Sequence, residues 1–186
     1  KFSYVVAMTD SMRLQIISLG IKPERVLVNK NSIDTSAVRK IYNNKGEIEQ
    51  KKTVTNISIA GSLTKRKRMS DAILAITMVQ HPVRLNIYGL GPEQESLAKL
   101  AKQENVSDKV IFHGFIEDFT PELSKADIIL STSLSEGVSR VLIEAMAIGK
   151  TVIASNLPGS IDLIEHGKTG YIYNRTNFSE LAKTIN

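Results

Sequence analysis

The sequence predicts an α/β fold, in which helices cover both faces of a parallel sheet. Short runs rich in β-branched residues alternate with longer amphipathic stretches along the 186-residue chain, as in a parallel sheet wrapped by helices. Glycine-bearing loops follow the predicted strands. The apolar fraction of 42% and the charged fraction of 23% are those of a folded globular domain, which excludes disordered and fibrous architectures.

The alternation defines six strands and six helices in the longer, second part of the chain. The predicted strands are Asn56–Ala60, Arg84–Tyr88, Val110–His113, Ile128–Ser131, Thr151–Ala154 and Gly170–Ile172. The predicted helices are Met69–Val79, Pro92–Glu104, Pro121–Lys125, Ser139–Ile148, Ser160–His166 and a last helix from Ser179 onward. A smaller βαβ-like unit precedes them and consists of Tyr4–Met8, Ser11–Leu19 and Val26–Val28.

A polar stretch between Asp34 and Lys52 divides the chain, because the hydrophobic period is lost there. We therefore expect residues 1–34 to belong to another domain, 35–52 to form a linker or mobile loop, and 53–186 to form the main α/β domain. The chain begins with Lys1 instead of a methionine or a signal peptide, so we expect further protein before it.

The net charge of +5 is partly local. The basic residues concerned are Lys51, Lys52, Lys65, Arg66, Lys67 and Arg68. A polyphosphate ligand, nucleic acid or an anionic membrane surface would each explain such a cluster, and so would an ordinary solvated surface. The chain contains no cysteine, which suits a reducing compartment, and no apolar run approaches the roughly 18 residues of a transmembrane helix.

The glycines of the predicted sheet follow its strands at their carboxyl ends. They are Gly61, Gly89, Gly91, Gly114, Gly137 and Gly159. In open parallel sheets ligands bind at that edge, where the strand order reverses. Glycine permits positive φ and close backbone approach to a phosphate, although a tight turn alone could also require it. The series as a whole favours a ligand-binding edge.

Two familiar nucleotide motifs are incomplete. Gly89-Leu90-Gly91-Pro92 lacks the third glycine of a dinucleotide fingerprint, and the basic loop that begins at Gly61 lacks the second glycine and the terminal Lys-Ser/Thr of a P-loop. Neither NAD binding nor nucleoside triphosphate hydrolysis is supported.

The strongest local pattern is a pair of glutamates, Glu136 and Glu144, around the start of an amphipathic helix that stops at Gly149. Glu144 would lie about 7.5 Å along the helix axis with its side chain tilted toward the N-terminus. We expect both carboxylates to face one ligand, so that one meets a sugar while the other accepts hydrogen bonds from ribose hydroxyls. The alternative is that Glu144 points to solvent and Glu136 only favours the helix dipole.

The run EGVSRVLIEAMAIGKTVIAS resembles the E-x7-E motif of the retaining family 4 glycosyltransferases, which have the GT-B fold. Asn31-Ser32-Ile33-Asp34 is similar to their crossover into the C-terminal domain, and Tyr4 to Thr9 to the strand before it. The resemblance implies that 1–34 is the end of an N-terminal domain with the crossover segment. It implies that 53–186 is a Rossmann-like, nucleotide-sugar-binding domain, the C-terminal half of a GT-B enzyme.

The resemblance also implies roles for individual residues. Glu136 would be the catalytic residue that contacts the donor sugar, and Glu144 would hold the donor ribose. The other implied donor-binding residues are Gly61, Ser62, Lys67, Ile116, Gly137, Val138, Ser139 and Arg140. Lys67 matches the lysine that meets the diphosphate, Ser62 stands where arginine is usual, and Ile116 would meet the nucleobase through main-chain groups.

The implied reaction transfers a hexose-type sugar, with retention, from a nucleotide sugar such as a UDP- or GDP-hexose. A glycan or lipid-linked acceptor would be held by the missing N-terminal domain, so the isolated chain should bind donor but transfer little sugar. Lys67 would stabilise the charge that grows on the diphosphate. We expect no cofactor, no metal, no nucleic acid, and a cytoplasmic location, with peripheral association at the inner membrane face.

Two alternatives remain open at this stage. A sugar-nucleotide epimerase of the same architecture would share the donor site. A non-catalytic nucleotide- or nucleic-acid-binding module could use the cluster Lys65–Arg68, although no aromatic residue interleaves that basic run.

Overall fold

The computed structural model of the protein describes residues 3–34, 36 and 53–186, which form a large parallel sheet and a small one. The strands are β1 (Val5–Ala7), β2 (Val26–Val28), β3 (Thr55–Ala60), β4 (Val83–Tyr88), β5 (Val110–Gly114), β6 (Ile128–Ser131), β7 (Thr151–Ser155) and β8 (Tyr171–Tyr173). The helices are α1 (Asp10–Ser18), α2 (Met69–Thr77), α3 (Gln94–Gln103), α4 (Thr120–Lys125), α5 (Arg140–Ala147), α6 (Pro158–Ile161) and α7 (Phe178–Ile185). Short 3-10 turns cover Pro23–Arg25 and Lys65–Lys67.

The large sheet has the strand order β5-β4-β3-β6-β7-β8, and its paired strands run parallel. The chain builds outward from β3 to β5, returns to the other side of β3 with β6, and builds outward again to β8. This is the order of a Rossmann-like sheet, with its topological switch point between β3 and β6. The predicted α/β fold is confirmed.

A separate apolar core lies on each face of the large sheet. Helices α2, α3 and α7 pack on one face, which β6 reaches through Leu130. Helices α4 and α5 pack on the other face, which β6 reaches through its neighbour Ile129. Successive side chains of a strand point to opposite faces, and each fully buried leucine or isoleucine contributes roughly 1.5 to 3 kcal/mol. Helices therefore cover both faces, as the sequence predicted.

The small unit at the start of the chain is the predicted βαβ arrangement. Strands β1 and β2 pair in parallel, with Val5 opposite Val26, and α1 begins after Thr9, whose hydroxyl accepts a hydrogen bond from the amide of Met12. Val6 and Leu27, in the middle of the two strands, remain 59% and 51% exposed. The predicted linker 35–52 lies outside the described residues except for Ser36.

One helix prediction is wrong. The helix predicted over Ser160–His166 is the shorter α6, which begins at Pro158 because proline suits the first position of a helix. It ends early because the chain then folds into a turn, in which the amides of Leu163 and Ile164 both donate to the carbonyl of Ser160. The last strand is shifted by one residue and runs from Tyr171 to Tyr173.

Candidate functional site

The switch point brings together the loops that follow β3 and β6. The two strands are neighbours, with Ile59 opposite Leu130, so their loops leave the same edge side by side. The β3 loop carries Lys67 and the β6 loop carries Glu136. Parallel α/β sheets bind their ligands in the crevice at this point.

Lys67 and Glu136 form an ion pair across the switch point. Lys67 Nζ lies 2.7 Å from Glu136 Oε1, and the two side chains are 16% and 19% exposed. The other carboxylate oxygen, Oε2, accepts hydrogen bonds from the hydroxyls of Ser133 at 3.0 Å and Ser131 at 3.5 Å. The pair is thus mostly removed from water, and the serines fix the direction of the carboxylate.

Three hydrogen bonds fasten the two loops to each other. The amide of Leu134 donates to the carbonyl of Arg66, and the guanidinium of Arg66 donates to the carbonyl of Ser135, each at 2.8 Å. The hydroxyl of Thr132 donates to the carbonyl of Lys67, also at 2.8 Å. The position of Lys67 is therefore set by the backbone of both loops and not by its ion pair alone.

Gly61 makes room for the stem of Lys67. Its φ is +148°, and a Cβ atom built at Gly61 would lie 3.2 Å from Lys67 Cε. Ser62, which the resemblance places near the diphosphate, is exposed, and its carbonyl accepts a hydrogen bond from the amide of Thr64. No arginine stands at this position to share the charge of a diphosphate with Lys67.

Two glycines of the series serve close packing between neighbouring loops. A Cβ atom at Gly89 would lie 1.9 Å from the carbonyl oxygen of Gly61, and one at Gly159 would lie 1.7 Å from that of Gly137. Contacts this short leave no space for a side chain. At these two positions the steric explanation is sufficient, and the glycines act on the site by bringing its loops together.

Glu144 lies one turn into α5 and is only 16% exposed, so it does not point freely to solvent. Arg140, 75% exposed, places Nη2 3.5 Å from Glu144 Oε1. Burial raises the pKa of Glu144, Arg140 counteracts part of that effect, and the negative charge of Asp118 adds to it. A mostly buried carboxylate with one loose, exposed partner can still accept hydrogen bonds from a ligand.

The start of α5 connects the two glutamates. Ser139 is the residue before the helix, and it lines one small cavity together with Lys67 and Ser133 at the ends of β3 and β6. Gly137 and Val138 form the link between Glu136 and Ser139. The structure thus joins the Lys67 side of the site to the Arg140 and Glu144 side through one short segment.

Ile116 is partly buried and lies in the loop 114–119, which runs from the last residue of β5 to the residue before α4. Gly114, the last residue of β5, has a φ of +72°, and Phe115 is 72% exposed. Asp118 of the same loop is close enough to Glu144 to influence its pKa. The loop and α5 therefore face each other at one end of the site.

Sequence reasoning missed Ser131, Ser133 and Asp118 as members of the site. The run Ser131-Thr132-Ser133, which ends two residues before Glu136, is the signal that could have identified the two serines, because it begins with the last residue of a buried strand at the predicted edge. Asp118 has no comparable signal, since only the fold brings it near Glu144.

The N-terminal unit touches the Gly137–Val138 segment. The side-chain amide of Asn31 donates to the carbonyl of Val138 at 3.4 Å, and a Cβ atom at Gly137 would lie 2.0 Å from Met8 Cε. Nearby, the amide and the hydroxyl of Ser11 both donate to the carboxylate of Asp162, the residue after α6. The segment after Glu136 is therefore enclosed from two sides.

The described residues contain no group of three or more histidine, cysteine, aspartate or glutamate side chains that could hold a metal ion. Two of the three histidines have partners within the fold: His113 contacts Asn86, and His166 accepts a hydrogen bond from the amide of Ile172. Among the helices of the described ranges, none is long and apolar enough to cross a membrane.

Comparison with protein families gives a match over residues 39–186 to the family described as glycosyl transferases group 1. The chain is 32% identical over 141 residues to N-acetyl-alpha-D-glucosaminyl L-malate synthase of Bacillus anthracis, covering 75% of this chain and 35% of that protein. It is 25% identical over 186 residues to poly(ribitol-phosphate) alpha-N-acetylglucosaminyltransferase of Staphylococcus aureus, covering the whole chain and 36% of that protein.

Among solved structures, the Anabaena protein HepE in complex with UDP and glucose resembles the chain with a TM-score of 0.84 and 25% identity. The match covers 99% of this chain and 53% of HepE. The chain thus spans about a third to a half of the length of these relatives. The comparisons give no support to the epimerase or nucleic-acid-binding alternatives.

Proposed function

The chain belongs to the family of group 1 glycosyl transferases, and we propose that it is the donor-binding half of a retaining family 4 glycosyltransferase. The enzyme transfers a hexose-type sugar from a nucleotide diphosphate sugar to a glycan or lipid-linked acceptor. The observation that carries this proposal is the Lys67–Glu136 pair across the switch point of the sheet.

Lys67 serves the diphosphate leaving group in this proposal. Negative charge grows on the diphosphate as the glycosidic bond breaks, and a fixed ammonium group stabilises that charge without having to reorganise. The backbone bonds that hold Lys67 and its low exposure favour such preorganisation. No metal ion or cofactor enters the reaction, because the lysine and main-chain groups supply the charge stabilisation.

Glu136 lies beside this position and contacts the donor sugar, while Gly137, Val138, Ser139 and Arg140 approach the sugar and the phosphates. Glu144, one helical turn away, accepts hydrogen bonds from the ribose hydroxyls. The nucleobase lies against the loop 114–119, near Ile116. The complex of HepE with UDP supports uracil as the base of the donor. UDP- and GDP-hexoses are the donors to test first.

A preceding domain completes the enzyme and holds the acceptor. The relatives are two to three times as long as this chain, and the exposed faces of Val6 and Leu27 offer apolar surface for further strands and helices to cover. We place the reaction in the cytoplasm, at the inner face of the membrane when the acceptor is lipid-linked. The chain by itself binds donor and transfers little sugar.

Calorimetric titration of the purified chain tests the donor site. UDP and GDP are titrated into the wild type and into Lys67→Ala. Loss of a charge-assisted hydrogen bond, about 1.5 to 3 kcal/mol, should weaken binding of the preferred nucleotide by roughly 10-fold to 100-fold.

The matched control is Lys168→Ala, because Lys168 pairs with Glu165 in an exposed ion pair. This variant should bind the nucleotide as the wild type does. Binding of full strength in Lys67→Ala, or equal weakening in both variants, would refute the assignment of Lys67.

A further inference from the structure

The loop 114–119 is anchored at its two ends by a single side chain, Tyr88. Tyr88 is the last residue of β4, next to the edge strand β5, and is 5% exposed. Its ring stacks on the imidazole of His113, with ring centres 4.3 Å apart and planes 8° from parallel. It also meets the ring of Phe119 edge-on, with centres 5.0 Å apart.

The two aromatic partners of Tyr88 lie at opposite ends of the loop 114–119. His113 directly precedes Gly114, and Phe119 directly precedes the first residue of α4. Tyr88 therefore contacts the residue before the loop and the last residue of the loop. Aromatic pairs in stacked and edge-on arrangements are favourable beyond the area that they bury, so both ends are held against the same rigid strand.

Hydrogen bonds fix the two polar members of this cluster, Tyr88 and His113. The hydroxyl of Tyr88 donates to Glu122 Oε2 in α4 at 3.2 Å, and Lys125 donates to the other oxygen of that carboxylate. Burial, together with the charge of Glu122, raises the pKa of Tyr88 to about 12, so the hydroxyl keeps its proton.

The imidazole of His113 is fixed in the same way. Its Nε2 lies 2.9 Å from Asn86 Oδ1, while the amide nitrogen of Asn86 donates to the carbonyl of Ile57. Since the Asn86 oxygen is then the acceptor, Nε2 carries the proton. The ring is thereby held parallel to Tyr88 at the point where the chain turns through Gly114 into the loop.

We infer that Tyr88, acting through His113 and Phe119, is a positioning residue for the nucleobase, because it sets the conformation of the loop against which the base lies. The inference rests on the proposed function, which places the base at this loop. Tyr88 itself need not touch the ligand. It differs in this respect from Lys67, which acts on the diphosphate at the other end of the site.

The test compares a nucleotide with its diphosphate part alone. Two ligands are titrated separately into the wild type, Tyr88→Leu and Tyr88→Phe. One is whichever of UDP, GDP and ADP binds the wild type most tightly, and the other is inorganic pyrophosphate. Tyr88→Leu should weaken nucleotide binding about tenfold, or about 1.4 kcal/mol, and leave pyrophosphate binding unchanged. Tyr88→Phe keeps both ring contacts and should retain most of the nucleotide affinity.

His113→Ala provides a second variant in case Tyr88→Leu does not fold, because His113 is more exposed than Tyr88. This variant should also bind the nucleotide more weakly and bind pyrophosphate as the wild type does. Unchanged nucleotide affinity, or an equal loss of affinity for both ligands, would overturn the inference. Neither result would contradict the proposed donor site. A wild type that binds no nucleotide would overturn the proposed function and this inference together.

Discussion

Lys67 and Arg68 are consecutive residues of one basic run, yet their ion pairs lie in different regions of the molecule. Lys67 pairs with Glu136 at the candidate ligand-binding edge, in a loop-to-loop contact. Arg68 turns the other way and binds Asp71 in the first turn of α2, with Nη2 2.6 Å from Oδ1. The carboxylate of Asp71 is completely buried. A run of like charges can thus contain one group that lies at the candidate site and one that stabilises the fold.

The backbone separates the two roles. Lys67 ends a 3-10 turn, and Arg68 follows with a φ of +48°, in the left-handed region that few residues other than glycine adopt. This reverses the direction of the side chain between neighbours. The conformation is held because Arg68 Nε and Nη2 both donate to the buried Asp71.

The largest expected effect comes from breaking the structural pair. Asp71→Ala removes the partner of a partly buried guanidinium, and breaking a buried ion pair costs about 3 to 5 kcal/mol. Because Arg68 remains 33% exposed and can be hydrated, we expect the lower end, about 3 kcal/mol of unfolding free energy. Urea denaturation followed by circular dichroism measures the change.

The control for this prediction is Glu165→Ala, which breaks the exposed pair with Lys168. Exposed pairs contribute under about 1 kcal/mol, so its unfolding midpoint should stay near that of the wild type. If Asp71→Ala were as stable as Glu165→Ala, Arg68 and Asp71 would not hold the loop, and the contrast with Lys67 would fail.

A smaller effect is expected from Glu136→Gln, which sharpens the ligand side of the comparison. Without a ligand, Glu136 is paired with the ammonium of Lys67, and its negative charge disfavours the binding of a diphosphate nearby. Glutamine keeps an oxygen that can accept from Ser133 but removes the charge. We expect UDP to bind about fivefold more tightly, or about 1 kcal/mol, while sugar transfer by the complete enzyme falls.

Isothermal calorimetry with Glu165→Gln as the charge-matched control checks this result. Weaker binding of UDP by Glu136→Gln would mean that the carboxylate orients Lys67 for the ligand and does not compete with it.

The sequence predicted the sheet because β-branched runs and glycine loops are local signals, and strands β3 to β7 lie within one residue of their predicted bounds. It also predicted that Glu136 and Glu144 lie on either side of the start of one helix, because their spacing is a local signal. The resemblance singled out Lys67, but no local physical signal in the basic run separates Lys67 from Arg68, because the directions of their side chains depend on the φ of Arg68 and on the burial of Asp71. Interactions across the fold, such as the effect of the Asp118 charge on the pKa of Glu144, carry no local signal.

The smallest effect concerns Glu144, the more weakly paired glutamate of the site. Its pKa is raised above the ordinary value, chiefly by burial. An ionised carboxylate accepts ribose hydrogen bonds better than a protonated one, so the ligand favours the charged form. Affinity for UDP should therefore fall as the pH decreases, and it should begin to fall at a higher pH than for an unperturbed glutamate. Titrations between about pH 8 and about pH 5 measure this decrease.

Glu144→Gln separates this effect from the titration of UDP itself, because the nucleotide and Lys67 are common to both proteins. The variant should bind UDP a few-fold more weakly at the upper pH and lose less affinity on acidification. Parallel pH profiles in the two proteins would mean that Glu144 stays in the same protonation state with and without the nucleotide. Its raised pKa would then be a consequence only of its burial and of the charge of Asp118, and the ribose would be bound elsewhere.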